Sequence, residues 1–155
     1  MLAVGTPIPS FSIQNQDGKT ITEADFSGKW IVLYFYPKDE TPGCTVQACS
    51  FRDNAEELAK LGAVVYGVSK DSSGSHKKFI ANHNLPFELL ADRDHSLAEA
   101  FDVWAEKSMF GKTYFGMDRS TYIISPDGKV AAAFSKVNPL NHGAVVAAEL
   151  SQLIG

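Results

Sequence analysis

The seven residues Trp30-Ile31-Val32-Leu33-Tyr34-Phe35-Tyr36 carry no charge and show no alternation of apolar and polar positions. Aromatic and β-branched side chains dominate, and Pro37 ends the run. The segment therefore predicts a strand buried on both faces, which needs a covering layer above and below. It is expected at the centre of a sheet.

The rest of the chain supplies those layers. Pro7-Ile8-Pro9, Phe11 to Ile13, Asp17-Gly18 and Thr20 to Thr22 predict an extended lead-in and a short hairpin, since Asp-Gly favours tight turns; this N-terminal β-hairpin is expected to act as a lid. A helix is expected from about Thr45 to Lys60, with Gly62 as its stop signal. Strands at Ala63 to Val68 and Glu88 to Ala91 alternate with helices at Ser72 to Asn84, with Phe79 and Ile80 inward, and at Asp94 to Phe101. Thr121 to Ser125 and Val130 to Phe134 flank Pro126-Asp127-Gly128 as a second hairpin, and Gly143 to Ile154 closes the chain as a helix. Alternating strands and helices imply parallel pairing, and the late hairpin adds antiparallel pairing. The expected fold class is α/β: a mixed central sheet flanked by helices, thioredoxin-like with extra elements.

A chain of 155 residues, 45% hydrophobic and 21% charged, suits one domain spanning 1–155 with a core that needs no disulfide staples. The net charge of −4 argues against a nucleic-acid or anionic-membrane partner, which requires clustered Lys and Arg. No apolar run reaches a membrane span, and the N-terminus lacks the pattern of a secretion signal. The expected location is cytoplasmic, with an organelle left open if a presequence has been removed. The four histidines, His76, His83, His95 and His142, lack zinc-ligand spacing, so no metal is expected. Phe110-Gly111-Lys112-Thr113 has the tail of a phosphate-binding loop without its first glycine or a preceding strand, and is read as a surface loop. Phe35, Trp104, Phe110, Tyr114 and Phe115 are read as core or pocket-rim aromatics around Met109 and Met117, with an apolar patch for a partner protein as the other reading.

Chemistry concentrates after the buried strand. Tyr36-Pro37-Lys38-Asp39-Glu40-Thr41-Pro42-Gly43-Cys44 runs from the C-terminal edge of the sheet, where ligand sites of open α/β sheets lie, into a helix. A cysteine at a helix start gains from unpaired backbone N–H groups and the positive end of the helix dipole, which favour thiolate over thiol. Cys44 is thus the candidate nucleophile. Gly43 lets the backbone pass close to a bound molecule. Thr41 can turn its hydroxyl toward the sulfur or an oxygen beside it, and Pro37 can wall off the pocket. An inert buried thiol is the competing reading of position alone.

The pattern Pro37-xxx-Thr41-xx-Cys44 resembles the peroxiredoxin active-site motif. The longer string Thr41-Pro42-Gly43-Cys44-Thr45-Val46-Gln47-Ala48-Cys49-Ser50-Phe51-Arg52-Asp53 resembles the bacterioferritin comigratory protein, or peroxiredoxin Q, subfamily. The resemblance extends through Trp104, Phe110 to Tyr114, Arg119-Ser120-Thr121 and Pro126-Asp127-Gly128. It implies a thiol peroxidase, without metal, flavin or haem, in which Cys44 is the peroxidatic cysteine, Thr41 and Pro37 shape its pocket and Arg119 faces the thiolate. The sequence alone does not single out Arg119.

Reduction of a hydroperoxide by a thiolate leaves a sulfenic acid, which a second thiol must capture before further peroxide oxidises it irreversibly. Cys49 is the one other cysteine of the chain, and the resemblance supports it as the resolver. Residues five apart on a helix lie about 140° apart around the axis and about 7.5 Å along it. If one helix holds both cysteines, its first turn or more must unwind before a disulfide forms. The alternative leaves Cys49 as a core-facing small residue and assigns resolution to an external thiol. The expected partners are a hydroperoxide and a dithiol protein, thioredoxin or glutaredoxin by resemblance, acting on a monomer. A thioredoxin-type thiol-disulfide oxidoreductase and a redox-sensing or holdase module remain the competing readings.

Overall fold

The computed structural model describes residues 1–155. In chain order its elements are β1 (Ser12–Asn15), β2 (Thr20–Thr22), one 3-10 turn (Glu23–Phe26), β3 (Trp30–Phe35), α1 (Pro42–Asp53), α2 (Ala55–Lys60), β4 (Ala63–Ser69), α3 (Ser73–His83), β5 (Glu88–Ala91), α4 (Ser96–Ala100), β6 (Trp104–Met109), β7 (Lys112–Met117), β8 (Ser120–Ile124), β9 (Val130–Phe134) and α5 (His142–Ile154). Seven strands form one sheet in the order β2-β1-β5-β4-β3-β8-β9. The strand β3 is interior, parallel to β4 and antiparallel to β8, as its apolar run requires.

Alternation along β3 sends its side chains to two cores. Val32, Tyr34 and Tyr36 pack against Cys44, Ala48 and Phe51 of α1, Leu58 of α2, Phe79 of α3 and Val146 and Leu150 of α5. Ile31, Leu33 and Phe35 face the other way, toward Phe26, Leu97, Ala98 and Phe101, with Leu2, Ile8 and Phe11 from the N-terminal segment closing that side. The fold is the thioredoxin-like α/β arrangement expected, with four differences.

The N-terminal hairpin is not a lid. Its strand β1 pairs antiparallel with β5, so the hairpin extends the sheet at one edge. The helix expected over Thr45 to Lys60 begins earlier, at Pro42, and is divided at Asn54. Proline suits the first helical position, where no N–H is needed. At the break, the Asn54 side chain donates to Ser50 O at 2.8 Å, competing with the helical ladder.

The third helix covers only Ser96–Ala100, because Asp92 receives the N–H groups of Leu97 and Ala98 and His95 adopts a left-handed conformation before it. Finally, the segment read as a surface loop around Phe110-Gly111 is the turn of a separate ribbon, β6–β7, with Met109 paired to Lys112 across two residues. Phe110 is 97% exposed, and Met109, Tyr114 and Phe115 are also exposed, whereas Phe35 and Met117 are buried. No helix is long and apolar enough to cross a membrane.

Candidate active site

The loop from Pro37 to Thr41 leaves the C-terminal end of β3 and enters α1 at its N-terminus. Thr41 has extended backbone (φ −75°, ψ 151°) at the N-cap position, and the first helical bond runs from Thr45 N–H to Thr41 O at 2.9 Å. Cys44 therefore sits in the first turn, where backbone N–H groups have no helical acceptor. Its side chain is buried, at 1% exposure.

Register brings the distant arginine to this point. Ser120 of β8 pairs with Phe35, the last residue of β3, so Arg119 emerges beside the loop that β3 feeds. Its backbone is fixed by a bond from Val137 N–H to Arg119 O at 3.0 Å. The guanidinium then divides its donors: Nη2 lies 3.4 Å from Cys44 Sγ, and Nη1 donates to Gln47 Oε1 at 2.6 Å. Gly43 gives the guanidinium room, since a Cβ there would lie 3.3 Å from Arg119 Nη2, a tight contact that a small shift of the side chain would relieve. A guanidinium so placed offers fixed donors to oxygens arriving beside the sulfur.

The Thr41 hydroxyl donates to Lys38 O at 2.8 Å. Its proton is thus committed within the loop, and its oxygen keeps lone pairs with which to accept a hydrogen bond from a bound molecule. Pro37 lines a cleft of about 180 Å³ whose opposite wall is Lys107, Tyr114, Phe115, Gly116 and Met117 of the β6–β7 ribbon. The ribbon therefore borders the Pro37 side of the loop. A larger cavity of about 690 Å³, lined by Ser72, Asp92 and Arg93 among others, contains none of these residues.

Cys49 lies on α1 with Cys44; both are free thiols, and Cys49 is partly exposed. On a regular helix, residues five apart have Cα atoms about 8–9 Å from each other. Beneath the helix, Tyr34 and Tyr36 are wholly buried. Burial pushes both phenols well above their usual range, reinforced at Tyr34 by Cys44 and Asp39 and at Tyr36 by Tyr34 and Asp39. Tyr34 stacks on Phe51 with ring centroids 4.6 Å apart and forms part of the floor under α1.

The sequence-predicted residues thus converge on one loop and helix turn, with Arg119 joining from β8. Two groups escaped that reading. Gln47, one turn after Cys44, is fully buried and is the acceptor that orients Arg119; its i+3 spacing from Cys44 on a helix was the available signal. His76 is fully buried and bonded to Asp39 of the loop. Neither composition nor spacing indicates that contact. No three or more His, Cys, Asp or Glu side chains group so as to hold a metal ion.

The AhpC/TSA family model matches residues 4–133. The chain is 50% identical over 141 residues to the peroxiredoxin Bcp of Bacillus subtilis, covering 91% of this chain and 90% of the relative. It is 46% identical over 145 residues to the peroxiredoxin Bcp of Escherichia coli K12, covering 94% and 93%. Among solved structures it is similar to the bacterioferritin comigratory protein of Xanthomonas campestris, a protein with alkyl peroxide reduction activity known in trapped intermediate and ligand complexes. That likeness has a TM-score of 0.90 and 40% identity, over 94% of this chain and 92% of that one.

Proposed function

Because the chain belongs to the AhpC/TSA family, among the Bcp/PrxQ peroxiredoxins, and is a thiol peroxidase, we propose that Cys44 is its peroxidatic cysteine and Cys49 its resolving cysteine. The observation that carries this reading is the 3.4 Å contact between Arg119 Nη2 and the buried Cys44 Sγ in the first turn of α1.

The Cys44 thiolate attacks the terminal oxygen of a hydroperoxide, ROOH. The O–O bond breaks, Cys44 becomes a sulfenic acid, and the alkoxide leaves as an alcohol after taking a proton. Arg119 stabilises the charge on the transferring oxygens, Thr41 Oγ1 accepts a hydrogen bond from the hydroperoxide O–H, whose proton stays on the oxygen that Cys44 takes, and Pro37 keeps water from the sulfur. The first turns of α1 then unwind, the Cys49 thiol attacks the sulfenic sulfur, and water leaves as the Cys44–Cys49 disulfide forms. A thioredoxin- or glutaredoxin-type dithiol protein restores both thiols by exchange through a mixed disulfide.

The substrates we assign are alkyl hydroperoxides together with hydrogen peroxide. The activity of the Xanthomonas relative supports the former, as do the apolar side chains Tyr114 and Phe115 beside Pro37. The unit that acts is one copy of the chain as one domain, 1–155, since both cysteines and Arg119 come from the same chain. Its place of action is the reducing cytoplasm, where dithiol proteins are kept reduced.

The test is consumption of tert-butyl hydroperoxide and hydrogen peroxide with thioredoxin and its reductase, with intact mass recorded after one equivalent of peroxide. Cys44→Ser is expected to lose all turnover. Wild type is expected to lose two hydrogens, and Cys49→Ser to accumulate a sulfenic or over-oxidised Cys44. Full turnover by Cys44→Ser overturns the assignment, and full turnover by Cys49→Ser removes the resolver.

A further inference from the structure

Asp39 lies midway between Pro37 and Thr41 in the loop before α1, yet it is 5% exposed. Its carboxylate faces the protein interior. Oδ1 accepts from the Tyr36 hydroxyl at 2.5 Å, and Oδ2 accepts from Ser75 Oγ and faces His76 Nδ1, each at 2.8 Å. His76 is wholly buried on α3, and its Nε2 lies 2.9 Å from Leu90 O on β5. The Leu90 carbonyl can only accept, so Nε2–H donates to it, and Nδ1 is held against the Asp39 carboxyl. The Asp39 N–H in turn donates to Asp71 Oδ2 at 2.9 Å. One side chain thereby ties the middle of the loop to Tyr36 just after β3 and to α3, and through His76 to β5.

We propose that Asp39 and His76 are positioning residues for the peroxide step, holding the Pro37–Thr41 loop in the register that sets Thr41 and Pro37 beside Cys44. This rests on the assignment of Cys44 as the peroxidatic cysteine. Neither residue touches the reacting atoms. Their effect comes through loop placement, where a shift of about 1 Å can cost about 10²-fold in rate. The disulfide, once formed, no longer needs the pocket, so its reduction is independent of the pair.

Asparagine separates placement from charge. Its Oδ1 accepts from Tyr36 as before, while its Nδ2 donates to His76 Nδ1, leaving the Nε2–H to Leu90 O intact. The experiment measures, for each purified full-length variant with its folded fraction fixed by circular dichroism, two rates. One is the loss of the Cys44 thiol to tert-butyl hydroperoxide, followed by mass. The other is reduction of the preformed disulfide by dithiothreitol.

Asp39→Ala is expected to slow the peroxide step about 10-fold or more, leave disulfide reduction within about 2-fold, and be rescued to within about 3-fold by Asp39→Asn. A folded Asp39→Ala that reacts with peroxide at the wild-type rate overturns the proposal. So does a parallel loss in both rates shared by Asp39→Ala and Asp39→Asn, which marks a purely structural role. Should Asp39→Ala not fold, Tyr36→Phe removes one bond to the carboxylate and is expected to slow the peroxide step alone; an unchanged rate overturns the proposal. Peroxide turnover by Cys44→Ser is read separately, and its persistence condemns the assignment of Cys44 rather than the Asp39–His76 pair.

Discussion

The N–H of Gly143, in the first turn of α5, donates to Ser50 Oγ at 2.8 Å, one residue after Cys49 on α1. Asn141, the N-cap residue of α5, is left-handed and makes no side-chain cap, so Ser50 supplies from another helix what the local sequence does not. The helices meet so closely that a Cβ on Gly143 would lie 2.4 Å from Ser50 O. Backbone, not a flexible side chain, stands in the way. Gly143→Ala is therefore expected to push α5 off α1 and lower stability by about 1–3 kcal/mol. Ser50→Ala, which removes the cap without a clash, is expected to cost about 1 kcal/mol. Urea unfolding of both variants measures this, and an unchanged midpoint for Gly143→Ala would show that the helices are not held at this distance.

Arg119 uses separate nitrogens for Cys44 and Gln47, a division that lysine cannot reproduce with one ammonium. Arg119→Lys keeps the charge and is expected to lose about 10²-fold in kcat/KM for peroxide, the scale of removing one fixed donor from a developing anion. Arg119→Met should lose at least as much. Steady-state assays with saturating reductant check this. Equal activity of wild type and Arg119→Lys would reduce the role of Arg119 to its charge.

These two sites differ in how far the sequence disclosed them. The loop was legible because Pro37, Thr41, Pro42, Gly43 and Cys44 are consecutive in effect: a proline-bounded strand end followed by a helix start. Arg119 was not, since only the pairing of Ser120 with Phe35 carries it across. The β6–β7 ribbon was missed for a local reason. Its two-residue turn has positive φ at both Phe110 (52°) and Gly111 (76°), a geometry usually announced by Asn-Gly or Asp-Gly. Phenylalanine in the first position hid it, and strands exposed on both faces near that turn lack the alternation that marks a half-buried strand. Asn54 likewise divides a helix whose apolar spacing continues on both sides.

His142 makes stability depend on pH. It is 4% exposed, lies 2.9 Å from Thr121 Oγ1 through Nε2, and is packed edge-on by Phe51 and Phe134. Burial, then the neighbouring Arg119, push its imidazole down to about 4 from 6.5. Between those values the unfolded chain binds a proton that the folded chain refuses. The contribution is complete above pH 6.5 and is lost as pH falls toward 4, amounting to about 3 kcal/mol. Urea unfolding across this window should show wild type losing more stability than His142→Gln. Parallel losses would exclude His142 as the source.

A disulfide between Cys44 and Cys49, as proposed, constrains which part of α1 can move. Cα atoms five residues apart on a helix are about 8–9 Å from each other, beyond the roughly 6.8 Å that a disulfide spans. For Cys49 to resolve Cys44 as proposed, something between them must therefore unwind. The far end of the helix is the less free: Ser50 is bonded to Gly143, and Arg52 Nη1 donates to His83 O at 2.9 Å. The near end is held by its own first turns and by one flexible side chain, that of Arg119, on Cys44 Sγ and Gln47 Oε1. Unwinding is accordingly expected to run from Pro42 through Cys49 and to stop at Ser50. Hydrogen exchange on the oxidised protein should show lost amide protection over Thr45 to Cys49, with β3 and α5 still protected. Protection over Thr45 to Cys49 equal to that of the reduced protein would mean that the bond formed by peroxide does not join these two cysteines within one chain.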